Sequence, residues 1–188
     1  MVKSKNRLFI ITGPSGSGKT TIARSVMTNE IISFTTRSPR KGEIDGVDYI
    51  YITNEKFNEL YDSGGLAEHT DYYGTAKYGI TMEELKGKLS KGDAFVVVDV
   101  IGKEALEEIY DNTLSIFIFS PDSDVAFKRM SDRGDNEEQI SRRLASYEEE
   151  IENFPLYDVL LDNIGNLGRA VEGFRKIVGG EFDSRIKK

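Results

Sequence analysis

Residues 13–20 read Gly-Pro-Ser-Gly-Ser-Gly-Lys-Thr. They stand between the apolar run Leu8-Phe9-Ile10-Ile11 and the helix-compatible stretch from Thr20 to Met27. Gly13, Gly18, Lys19 and Thr20 satisfy the spacing G-x-x-x-x-G-K-[ST], which carries meaning when a strand precedes it and a helix follows. Glycines let backbone N–H groups curl around a phosphate, and the start of the next helix adds its positive end. A lysine reaches the β and γ oxygens, and a threonine hydroxyl can ligand Mg²⁺. Gly13, Pro14, Ser15, Gly16, Ser17, Gly18, Lys19, Thr20 and Thr21 are therefore the expected binding residues for a nucleoside triphosphate such as ATP. Lys19 is the expected catalytic residue, and Thr20 the expected protein ligand for Mg²⁺ held with the nucleotide phosphates.

Such a loop needs a particular frame. Apolar runs at Leu8–Ile11, Ala94–Val100 and Leu114–Phe119 alternate with helical patterns, as expected of strands buried on both faces of a parallel sheet. The reading is α/β: a P-loop NTPase fold with a parallel sheet flanked by helices. Thr81-Met82-Glu83-Glu84 reads as a capping box opening a helix towards Lys88. Leu167, Ala170, Val171, Phe174, Ile177 and Val178 recur at helical spacing behind an Asn166 cap.

Two stretches break the alternation. From 31 to about 80 the chain carries short strand-like pieces rich in Thr, Tyr and Gly, suggesting a small, partly antiparallel insertion. From about 131 to 141 runs the polar SDRGDNEEQIS, read as a lid, with a plain solvated loop as the alternative. The 188 residues suit one domain, with core segments at about 1–30, 81–130 and 142–188.

The net charge of −7 argues against a nucleic-acid partner, which depends on surplus Lys and Arg. The chain has no cysteine, so disulfides and thiolate metal sites are excluded, and a cytoplasmic enzyme is expected. The apolar run before Gly13 is too short for a signal-peptide core or a membrane span.

The insertion has its own chemistry. Arg37 and Arg40 flank Ser38-Pro39 on a stretch stiffened by proline, and paired guanidinium groups bind phosphate through charge-assisted bonds. Tyr49 and Tyr73 can each add a hydroxyl donor. The competing reading is surface arginine and core-facing tyrosine. Phe95-Val96-Val97-Val98-Asp99 looks like a buried strand ending in a carboxylate, either an acid near a metal or a residue at a turn. Asp99-Val100-Ile101-Gly102 also has the D-x-x-G spacing of GTPase switches, but the sequence lacks an Asn-Lys-x-Asp element to read guanine in that manner.

The stretch TTRSPRKGE (Thr35–Glu43), then Gly46-Val47-Asp48-Tyr49, Tyr72-Tyr73-Gly74-Thr75 and Arg133-Gly134, resembles the guanylate kinase family through nearly the whole chain. The resemblance implies a kinase that transfers a phosphoryl group from ATP to GMP, with dGMP as an alternative acceptor, using Mg²⁺. It makes the insertion a GMP-binding subdomain in which Ser33, Arg37, Arg40, Tyr49 and Tyr73 hold the GMP phosphate while Glu68, Thr75 and Asp99 read guanine. It also implies that Arg133 and Arg143 close over the phosphates during transfer and that Arg129 binds ATP. A carboxylate suits guanine, whose N1 and N2 both donate, and repels the N1 acceptor of adenine.

Three departures stand out. Only His69-Thr70-Asp71 separates Glu68 from the Tyr-Tyr-Gly motif, about four residues fewer than in family members, and His69 is expected in an exposed loop. The spacing from Arg133 to Arg143 is one residue shorter than expected. Asp162-Asn163 reverses the order of the residues near the adenine. The shortened Glu68 segment keeps a ribose-bisphosphate kinase as an alternative. A non-catalytic guanylate-kinase-like binding module is disfavoured by the intact phosphate loop.

Overall fold

The computed structural model describes residues 5–72, 74–120, 123–132, 140, 141, 145 and 154–182. In chain order its elements are β1 (Leu8–Thr12), α1 (Lys19–Arg24), β2 (Phe34–Thr35), β3 (Ile50–Tyr51), α2 (Asn54–Asp62), β4 (Leu66–Tyr72) and β5 (Ala76–Thr81). There follow α3 (Met82–Leu89), β6 (Ala94–Val97), α4 (Val100–Ile109), β7 (Thr113–Phe119), α5 (Ser123–Asp132), a 3-10 turn (Phe154–Leu156), β8 (Val159–Asp162) and α6 (Leu167–Val178). The fold is mixed α/β with a parallel sheet flanked by helices. It divides into two compact units, one made of 1–8 with 29–113 and the other of 9–28 with 114–188.

In the second unit β1, β7 and β8 lie side by side in that order, and β7 pairs with β8 in parallel from Ile116↔Val159 to Phe119↔Asp162. Every residue of β1 is buried, as are Leu114 to Ile118 of β7, which explains their unbroken apolar sequence. Helix α6 buries Ala170, Phe174 and Ile177 of the apolar stripe expected from sequence, while Val171 and Val178 are half-buried and Leu167, at the first turn, is exposed; the Asn166 side chain accepts from Gly168 N as its cap. Close packing has a local cause: a Cβ on Gly173 would come within 2.9 Å of Leu161 Cδ1.

The first unit carries a second sheet in the order β3-β2-β5-β4, with β2 parallel to β3 and antiparallel to β5, and β4 antiparallel to β5. The partly antiparallel strands expected within 31–80 are present. Helix α3 starts where the capping box put it, with Thr81 Oγ1 accepting from Glu84 N at 3.1 Å.

Two expectations need correction. The strand drawn over Ala94–Val100 ends at Val97, because Asp99 leaves the strand to cap α4 and Val100 already belongs to that helix. His69-Thr70-Asp71 is strand, not loop. Glu68 and Thr70 face inward while His69 and Asp71 are exposed, and the three residues pair with Gly79, Tyr78 and Lys77. His69 remains an exposed residue, its ring edge-on to Tyr61 at 5.0 Å and to Phe57 at 6.3 Å. The short connection closes because Asp71 accepts from Gly74 N at 2.9 Å and Gly74 takes a φ of 67°.

Candidate functional site

The phosphate loop runs off the end of buried β1 and turns into α1. Its path depends on Gly13, whose φ is 131° and whose hypothetical Cβ would sit 2.0 Å from the Ile118 carbonyl oxygen. Gly16 and Gly18 also have positive φ, at 80° and 91°, so successive N–H groups turn towards one concavity. Within the loop, Ser17 N donates to Pro14 O at 3.2 Å and Ile22 N to Gly18 O at 3.0 Å. Lys19 Nζ donates to the carbonyl oxygens of Gly13 and Pro14 at 2.5 and 2.8 Å, folding its ammonium over the loop. Ser15, Gly16, Gly18 and Thr20 are partly exposed, Thr21 is exposed, and Pro14 and Ser17 are buried.

Sequence reasoning missed what holds this loop from beneath. Asn163 is 4% exposed, and its Nδ2 donates to the Ser17 carbonyl at 2.8 Å. The reversed Asp-Asn order thus gives Asn163 a buried supporting role, while Asp162 pairs with Arg169 in an exposed ion pair.

In the first unit, Arg37 is the hub of a tight cluster. Its two terminal nitrogens donate to the two Glu43 oxygens, each at 2.6 Å, in a bidentate pair. Its guanidinium lies 4.8 Å from the Tyr49 ring centroid and 5.8 Å from that of Tyr51. Glu43 also accepts from Tyr51 Oη and from Arg40 N, both at 2.7 Å, and lies 3.8 Å from the Arg40 guanidinium. Arg37 is therefore largely enclosed, not a loose surface residue, with its side chain 12% exposed.

These contacts set the acidities. Burial opposes the charge on Glu43, yet the hydrogen bonds from Arg37, Arg40 and Tyr51 outweigh it and hold its carboxyl down at about 2. Burial likewise opposes the Arg37 charge, and the Glu43 pairing outweighs it, leaving Arg37 raised. Burial raises Tyr49, and burial with its bond to Glu43 pushes Tyr51 up to about 12. Glu43 and Tyr51 were not singled out from sequence, although Arg37, Arg40 and Glu43 recur every three residues.

Glu68 gives the second cluster. It is 5% exposed, on the inward face of β4, and its carboxyl makes no hydrogen bond among the described residues. Burial, then the nearby charge of Asp99, push it up to about 8. Asp99 Oδ1 accepts from Gly102 N at 2.8 Å and from the Thr70 hydroxyl at 3.3 Å. The D-x-x-G spacing is thus a helix cap, and Thr70 is a further residue that sequence reasoning passed over.

Among the remaining sequence-based candidates, Ser33 is buried and its carbonyl accepts from Ile50 N at 3.0 Å, while Thr75 is exposed in the turn after β4. Tyr73, Arg133 and Arg143 lie outside the described residues, as does the Arg129 side chain. Among the described residues no group of three or more His, Cys, Asp and Glu forms a metal cage. No described helix is long and apolar enough to cross a membrane.

A buried strand, a glycine-turned phosphate loop and a helix on a parallel sheet flanked by helices define a P-loop nucleotide-binding protein. The family model described as guanylate kinase matches residues 5–178. The guanylate kinase of Oceanobacillus iheyensis is 35% identical over 192 residues, spanning 98% of this chain and 92% of the relative. That of Methylobacillus flagellatus is 34% identical, spanning 98% and 94%. The crystal structure of guanylate kinase from Anaplasma phagocytophilum superimposes with a TM-score of 0.75 at 26% identity, covering 99% of this chain and 91% of that one. The chain belongs to the guanylate kinase family.

Proposed function

We propose that the chain is a cytoplasmic ATP:GMP phosphotransferase, forming ADP and GDP by direct transfer with Mg²⁺. The observation that carries the acceptor assignment is Glu68, a buried carboxyl with no hydrogen bond among the described residues and with Asp99 beside it. Guanine presents N1–H and N2–H on one edge, and a carboxylate can accept both. A site built for those donors rejects adenine by leaving its own polar groups unpaired, worth about 10⁴-fold or more. Thr75 and Asp99 would complete the reading of the base. The same argument disfavours a ribose-bisphosphate acceptor, whose hydroxyls can donate to a carboxylate but which has no planar edge with two N–H donors side by side.

The GMP phosphate would be held by Arg37 and Arg40 with Ser33, Tyr49 and Tyr73. Arg37 suits this role while paired to Glu43, because that pairing and its bond to the Ser38 carbonyl leave Nε–H and one terminal N–H uncommitted. Its Nε is buried with no partner among the described residues. On the donor side, the 13–21 backbone would cradle the ATP phosphates, and Lys19 would leave the Gly13 and Pro14 carbonyls to neutralise the β and γ oxygens. Mg²⁺ bound with ATP would neutralise phosphate charge; magnesium takes few protein oxygens, so the Thr20 hydroxyl at the start of α1 would suit it with no acidic cage among the described residues. Arg129, Arg133 and Arg143 would supply the remaining positive charge as the phosphoryl group moves.

Incubation with ATP, Mg²⁺ and each of GMP, AMP, UMP and CMP tests the reading, with ADP release as the measure. GMP should be turned over at least 10³-fold more efficiently than AMP. Equal turnover with all four, or turnover of a ribose bisphosphate alone, would sink it.

A further inference from the structure

Gly102 occupies the third position of α4, where its φ is not positive, so the backbone does not require glycine there. Glycine weakens a helix interior relative to alanine. Its cause must be sought in packing. A Cβ on Gly102 would lie 2.9 Å from Val98 Cβ, 3.1 Å from Glu68 Oε2 and 3.3 Å from Val98 Cγ1. The Glu68 carboxyl thus rests against a bare backbone, over space that any side chain would fill. The same residue donates its N–H to Asp99 Oδ1 at 2.8 Å, and Thr70, two residues after Glu68 on the inward face of β4, donates its hydroxyl to that oxygen at 3.3 Å. One glycine therefore touches both carboxylates, and one threonine ties the strand bearing Glu68 to the cap bearing Asp99.

We propose that Gly102 and Thr70 are specificity-determining positioning residues that fix Glu68 and Asp99 at the separation needed to read the N1 and N2 donors of guanine. The inference rests on the GMP reading above. Neither residue needs to touch the base. The bare Cα of Gly102 sets how deeply the Glu68 carboxylate sits, and Thr70 with the Gly102 N–H sets where Asp99 points. The short His69-Thr70-Asp71 connection matters here, because continuous β4 keeps Thr70 in phase with Glu68.

The test uses the full chain and two acceptors, GMP and IMP, which differ by the 2-amino donor alone. Gly102→Ala should raise KM for GMP at least tenfold and KM for IMP by clearly less, since IMP keeps the N1 donor and lacks the 2-amino one, with KM for ATP changing less than threefold, so that the GMP preference over IMP falls. Gly87→Ala, in α3 with open space around it, serves as the matched helix glycine and should leave all three values unchanged. Adding Glu68→Asp to Gly102→Ala shortens the crowded carboxyl by one methylene and should recover part of the GMP preference. Thr70→Val, should Gly102→Ala not fold, should lower the GMP over IMP ratio at least threefold, and Thr70→Ser should retain it. A folded Gly102→Ala protein, or a Thr70→Val protein, with an unchanged GMP over IMP ratio overturns the proposal, as does equal loss with GMP and IMP. Wild-type protein inactive with GMP would instead overturn the functional reading itself.

Discussion

The Glu68 carboxyl combines burial with an unmet capacity to accept hydrogen bonds, and its acidity makes the consequence measurable. Free protein holds this group protonated until the pH passes about 8, whereas the N1 and N2 donors of guanine favour the carboxylate. GMP binding should therefore release a proton near neutrality and tighten as pH rises from 6.5 to 8.5. Calorimetry in buffers of different ionisation enthalpy reads the proton, and Glu68→Gln should abolish both effects and weaken GMP by roughly 10²-fold. The sign for stability is opposite. A folded pKa raised above the ordinary value of 4.5 means that the folded state binds more protons, so this group's contribution is full below 4.5 and lost as pH rises through about 8. Glu43 behaves in reverse. Its carboxyl sits at about 2, so its contribution is present above the ordinary value of 4.5 and lost as pH falls towards 2. Glu43→Gln removes one charged partner of a bidentate pair, a loss of about 1.5–3 kcal/mol. It should flatten the acid limb of a pH-dependent melting series and raise KM for GMP about tenfold, with KM for ATP unchanged.

At the scale of elements, the loop after β1 tolerates least. Alanine at Gly13 needs both a φ of 131° and a methyl group 2.0 Å from a carbonyl oxygen, so Gly13→Ala should lower the melting temperature by at least about 5 °C, equivalent to ~2 kcal/mol in a chain of this size. An unchanged melt would contradict the close approach of the loop to β7. Elements whose cause is local were legible in the sequence. The loop follows its own spacing, α3 and α6 follow their caps at Thr81 and Asn166, and β1 and β7 follow their unbroken apolar runs. What could not be read depends on partners distant in the chain. His69 to Asp71 looked like a loop because only the strand Ala76 to Thr81 shows it a pairing edge, and Val98 to Val100 looked like strand because Asp99 reveals itself as a cap only with Gly102 and Thr70 in place. Arg37 was legible as a candidate phosphate-binding residue. Its enclosure by Glu43, Tyr49 and Tyr51 was not, since those contacts arise when β2 and β3 lie side by side.

Across the whole molecule, a chain with a net charge of −7 must bind two polyanionic nucleotides, so attraction has to come from local groups, with long-range charge opposing it. The phosphate loop and the Arg37 cluster belong to different compact units, and under the proposed function each holds its own ligand. Their ligands should therefore stabilise the protein separately. A ligand present at about 100 times its Kd stabilises the folded state by about 2.7 kcal/mol, which in a chain of this length corresponds to a melting shift of roughly 5–10 °C. Wild-type protein should show such a shift with GMP alone and with a non-hydrolysable ATP analogue alone. Lys19→Ala should lose most of the shift with the ATP analogue and keep that with GMP, and Glu68→Gln should do the opposite. Loss of both shifts from either substitution would mean that the two nucleotides share determinants, and the division of roles between the loop and the insertion would then be wrong.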